Sequence, residues 1–118
     1  MNTSVLARIL DVLPLMVSGL EINDPVLTLF GNGWGLSIVC PWALDGLDVH
    51  VTWESDPLDE VWVLAGRALV GVTANDESAT DPTFHFEGGL SLEVNADTVL
   101  DPWTLILPGL VVTGTYRP

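Results

Sequence analysis

Alternation of apolar and polar residues is the strongest pattern in this chain. Leu90, Leu92 and Val94 would share one strand face, with Ser91, Glu93 and Asn95 on the other. Val49, Val51 and Trp53 stand in the same relation to Asp48, His50, Thr52 and Glu54. Leu27-Thr28-Leu29, Leu36-Ser37-Ile38 and Phe84-His85-Phe86 continue the period of two. One-sided alternation predicts antiparallel sheets with one face in water, not parallel βαβ units. Roughly eight short strands are expected.

Two segments leave that period. Leu6, Ile9, Leu10 and Leu13 fall at helical spacing, with Thr3 or Ser4 as cap and Pro14 as stop. Asp56 can cap a second helix, with Pro57 at its first position and Asp59 and Glu60 in the first turn. It would bury Leu58, Val61, Trp62 and Ala65 and end near Gly66; Val61 and Val63 make a strand the competing reading. Gly88-Gly89 reads as a two-residue hairpin turn. Asp-Pro at 24–25, 56–57, 81–82 and 101–102 marks element boundaries.

The segments repeat. Leu20–Asp24 resembles Val72–Asp76 at an offset of 52, Leu27–Leu29 matches Phe84–Phe86 at 57, and Leu36–Ile38 matches Leu90–Leu92 at 54. Offset 54 then pairs Val49, Val51 and Trp53 with Trp103, Leu105 and Leu107. The differences fall in loops: five residues more around 77–81, and three more at Gly31–Gly35 than at Gly88-Gly89. The reading is one domain, residues 1–118, built from copies 1–54 and 55–118. Its fold is mainly β (α+β): two helix-plus-four-strand antiparallel meanders with pseudo-two-fold symmetry, closing as a β-sandwich or a barrel.

Leu69-Val70-Gly71-Val72, the run Phe84-x-Phe86-x-Gly88-Gly89-Leu90-x-Leu92-x-Val94 and Asp101-Pro102-Trp103 resemble an uncharacterised family of small acidic bacterial β-rich proteins of unknown function. The likeness covers mainly residues 66–107. It implies no activity, cofactor or catalytic residue. Some members of such families look like immunity proteins, which cover a toxin's site.

Charge narrows the functions further. Sixteen Asp and Glu stand against three Arg and no Lys, a net charge of −13. A binder of nucleic acid or of an anionic membrane needs cations that this chain lacks. Cys40 is alone, so neither a disulfide framework nor a cysteine metal site can form. The apolar stretch 5–17 contains Arg8, Asp11 and Pro14 and is followed by no cleavage motif, so a cytoplasmic protein is expected.

Candidate chemistry is sparse. His50 and His85 fall on polar faces, and a His beside a carboxylate such as Glu87 is a potential base or half a metal site. No third partner stands at a diagnostic spacing, and solvated strand residues explain both. Cys40 reads as a small core hydrophobe. The acids Asp56/Asp59/Glu60 and Asp76/Glu77/Asp81 lack EF-hand spacing and read as solvated loops. Trp34, with Asn32 beside it in a glycine-rich hairpin tip, is either an exposed interface anchor or a ring folded back over the sheet edge.

The expected function is therefore a non-catalytic interaction module that uses no cofactor. Mean hydropathy of +0.44 leaves apolar surface for a homodimer to hide, and the acidity suits a basic protein partner. The alternatives are a small-molecule-binding barrel or enzyme with its site between the halves, and a polyanion mimic.

Overall fold

A computed structural model of the chain describes residues 5–23, 26–46, 48–55, 59–74, 81–95, 103–107 and 109–113. It is mainly β: eleven strands among these residues, one α-helix and one 3₁₀ turn. The helix α1 is Val5–Leu10. The strands are β1 (Leu15–Met16), β2 (Gly19–Asn23), β3 (Val26–Gly31), β4 (Trp34–Ile38), β5 (Trp42–Gly46), β6 (Val49–Thr52), β7 (Ala68–Thr73), β8 (Thr83–Phe86), β9 (Leu90–Val94), β10 (Trp103–Leu107) and β11 (Leu110–Thr113). All ladders are antiparallel, as the one-sided alternation predicts.

Two sheets form. One has the order β1-β7-β8-β9-β5-β6, the other β11-β10-β4-β3-β2. Of the two expected architectures this is the β-sandwich, although its strands are shared out differently than expected. There is no closed barrel, because each sheet ends in two edge strands. Nor does each half of the chain make its own four-stranded meander. Three consecutive strands form a meander, and the next two cross to the opposite sheet: β4 leads through Val39-Cys40-Pro41 to β5, which bonds β9, while β10 returns to bond β4. The expected match of Val49–Trp53 to Trp103–Leu107 fails for this reason. β6 is an edge strand, whereas β10 is flanked on both sides.

The crossovers leave the core between the sheets. Leu20, Leu29, Leu36, Leu105 and Val112 form one cross-strand row facing inward, each at most 4% exposed. Val72, Phe84, Leu92, Leu44 and Val51 form the opposing row, each at most 5% exposed. Trp103 joins them edge-on to Phe84, ring centroids 5.8 Å apart. Cys40 is buried in the same cluster, as expected of a small hydrophobe.

Local chemistry explains the departures from expectation. Residues Asp59–Leu64 wind as a 3₁₀ turn. With three residues per turn, Val61 and Leu64 eclipse and are both fully buried, while Trp62 points out, half exposed. Gly66 ends the segment at φ 87°. Arg67 fixes it in place, donating from Nε to Val63 O (3.0 Å) and from Nη1 to Glu87 O (3.1 Å). Glu87, expected beside His85, instead accepts from the Ala68 amide at 2.7 Å. The β8–β9 turn contains three residues, Glu87-Gly88-Gly89, not two, with both glycines at positive φ. α1 buries Ile9 and leaves Leu10 half exposed. The caps Thr3, Ser4 and Asp56, with Pro57 and Leu58, lie outside the described residues.

Trp34 takes the second of its two expected positions. The β3–β4 turn is Asn32-Gly33 alone, both exposed, while Trp34 lies within β4 and is 6% exposed. Its Nε1 donates to Met16 O at 2.9 Å, tying β4 to β1 of the other sheet. The indole crosses directly over Gly31, where a Cβ would collide with both Met16 O and the ring nitrogen. Gly31→Ala should therefore lower stability by about 2–4 kcal/mol, overpacking plus a lost hydrogen bond. Urea unfolding checks this.

Candidate functional site

The two outward faces differ in chemistry, and each juxtaposes residues from five strands. On the six-stranded sheet one cross-strand row reads Gly71, His85, Ser91, Asp45, His50. Both imidazoles of the protein thus lie on one line. The adjacent row is Thr73, Thr83, Glu93, Ala43 and Thr52. His85 Nε2 shares a hydrogen bond with Thr73 Oγ1 at 2.8 Å, and its Nδ1 lies 3.3 Å from Ser91 Oγ. His50 Nδ1 bonds the Asp45 carboxylate at the far end of the row.

This row does not assemble a catalytic centre. Three strand spacings of about 4.8 Å separate His85 from His50, too far to share a substrate atom or a metal ion. Ser91 faces His85, yet the carboxylate of Asp45 serves His50 and not His85, so the order nucleophile, base, orienting acid is broken. No group of three or more His, Cys, Asp or Glu among the described residues is placed to hold a metal. Of the two acidic clusters, Glu60 and Asp81 are exposed. Asp56, Asp76 and Glu77 lie outside the described residues, and Asp59 is described in its backbone alone.

Among the described residues no polar or charged residue is buried, and one buried side-chain polar atom, Trp103 Nε1, has no hydrogen-bond partner. A pocket between the halves that orients a small molecule needs several such groups. No helix among the described residues is long and apolar enough to cross a membrane.

The five-stranded sheet presents the contrasting surface. Its outward rows are Glu21, Thr28, Ser37, Thr104, Thr113 and, beside it, Gly19, Phe30, Gly35, Ile106, Val111. Phe30, Ile106 and Val111 are 42, 50 and 60% exposed. Phe30 leans over Gly19, where a Cβ would come within 2.9 Å of the ring. Of the residues in these two rows, Glu21 alone is charged, although the chain as a whole carries −13. Sequence reasoning missed this stripe because Phe30 follows Leu29, Ile106 lies between Leu105 and Leu107, and Val111 lies between Leu110 and Val112, so each merges into an apolar run; register alone aligns them. It also misplaced Trp62, exposed on the 3₁₀ turn. Trp34 and Asn32, the residues singled out as an interface, divide: Asn32 is at the surface and the Trp34 indole belongs to the core.

The polar face makes a measurable distinction. His85→Ala removes two side-chain hydrogen bonds at a half-buried site and should lower stability by about 1–2 kcal/mol. His50→Ala removes an exposed ion pair and should change stability by less than about 0.5 kcal/mol. Thermal unfolding of the two variants compares them.

Comparison with protein-family models, with curated proteins and with solved structures finds no match to this chain.

Proposed function

We propose that this chain is a non-catalytic self-association module, and that its contact surface is the outward face of the five-stranded sheet. The carrying observation is the row Gly19–Phe30–Gly35–Ile106–Val111, an apolar stripe crossing every strand of that sheet. Three large apolar side chains exposed in one row are a feature that association hides. The scarcity of charge there supports the same reading. Two copies at −13 each repel at long range, and they approach most easily where the fewest carboxylates meet.

Size sets the strength. Five strands spaced about 4.8 Å apart and about five residues long give a projected face of roughly 400 Å² per copy. Two such faces total roughly 800 Å², below the range of stable interfaces and in that of weak, transient ones, so the dimer forms at high protein concentration and dissociates on dilution.

We further infer that the two sheets descend from one duplicated unit. The orders β2-β3-β4-β10-β11 and β7-β8-β9-β5-β6 correspond strand for strand. Leu27 pairs with Ile38 and Leu29 with Leu36, as Phe84 pairs with Leu92 and Phe86 with Leu90. These are the offsets of 57 and 54 read in the sequence. For β2 and β7 the register favours a shift of two from the offset of 52, placing Ile22 where Val72 lies.

Sedimentation velocity tests the function. The mass should rise from monomer to dimer with concentration, and added salt should strengthen the dimer by screening two like-charged bodies. Val111→Glu, at an exposed position, should leave the fold intact and keep the chain monomeric. A basic partner docking on Asp45 and Glu93 of the other face would show the opposite salt dependence.

A further inference from the structure

Gly35 occupies the centre of the apolar row, in the central strand of its sheet. Glycine inside a strand weakens it and signals either a special backbone conformation or the close approach of another group. The first explanation fails, because Gly35 is not among the residues at positive φ. Crowding within the chain fails as well. A Cβ at Gly35 would meet Leu29 O at 3.8 Å, an ordinary contact, whereas at Gly31 it would collide with backbone. Among the described residues of one copy, nothing requires this glycine.

Its neighbours point to what does. Phe30, on one side, leans away over Gly19 and leaves the space above Gly35 open. Ile106, on the other side, is directly paired with Gly35 and is half exposed. A hollow and a projection thus lie side by side, one strand spacing of about 4.8 Å apart. A two-fold axis parallel to the strands and midway between β4 and β10 exchanges them. We infer that Gly35 is the socket for Ile106 of a second copy of this chain, and that the contact is made twice across this axis.

This inference rests on the self-association proposed above and gives it a geometry. A symmetric dimer requires a self-complementary patch, and the four positions from Phe30 to Val111 satisfy that condition in two pairs. The same axis places Phe30 opposite the second copy's Val111, a large side chain against a smaller one. It also sets the two Glu21 carboxylates about five strand spacings apart, roughly 24 Å, well beyond the screening length in physiological salt. The one charged position of these rows therefore does not oppose the contact.

The test exchanges hollow and projection. Gly35→Ile should melt at or above the wild-type temperature, since isoleucine is favoured over glycine in a strand. It should also weaken the dimer about thirtyfold or more, the loss typical of a central contact. Ile106→Gly should weaken it similarly, and the double variant G35I/I106G, with the two features exchanged, should recover association to within a few-fold of wild type. Sedimentation equilibrium gives the constants and thermal unfolding the stability. A wild-type chain that stays monomeric at about 1 mM overturns the self-association reading itself. A wild-type dimer that Gly35→Ile leaves equally tight overturns the socket alone. So does a Gly35→Ile chain that melts well below wild type, for then the glycine serves the monomer.

Discussion

The structure depends on the burial of two inward faces that neither half of the chain can cover alone. Besides the short β1, each half supplies a three-stranded meander to one sheet and a two-stranded hairpin to the other, so both sheets are composites. The rows Leu20–Val112 and Val72–Val51 draw their residues from both halves, and almost every member is inaccessible to water. Large aliphatic side chains contribute about 1.5–3 kcal/mol each on burial, and here that gain appears only when the hairpins cross. Everything outside the core, including the contrast between the two outward faces, follows from which strands these crossings make neighbours.

Much of this arrangement was legible in the alternation. Phe84, Phe86, Leu90 and Leu92 were assigned to one inward face and are there, and the offsets of 57 and 54 reappear as cross-strand registers. Strand phase is local, so sequence reveals it. The destination of a strand is not local. Val49–Thr52 and Trp103–Leu107 alternate alike, yet the first bonds only β5 at a sheet edge while the second lies inside its sheet between β4 and β11, because the same pattern suits either position. The 3₁₀ turn was hidden for a similar reason. Val61, Leu64 and Ala65 fit either helical period, and only the tighter winding turns Trp62 outward.

The candidate surface was less legible than the fold. Phe30, Ile106 and Val111 come from three strands of two distant segments, and nothing along the chain announces that they align. Trp34 is conspicuous for its glycine neighbours, but of these Gly31 is the one that makes room for the ring's inward path to Met16 O. The glycines around it divide by what a side chain would meet: Gly31 gives passage to an indole, Gly19 lies under Phe30, and Gly35 lies under nothing in its own chain. Composition treats the three alike. Their surroundings separate a packing requirement from a surface feature.

The exchange of hairpins between sheets has a consequence for the chain's integrity. Severed midway, the first piece would hold three strands of each layer and the second three of one and two of the other, with every apolar row incomplete. Such pieces would be insoluble or unfolded apart and native only in each other's company, and an intact chain at high concentration would have the same option of lending its second half to a neighbour, producing an entangled pair whose separation requires unfolding.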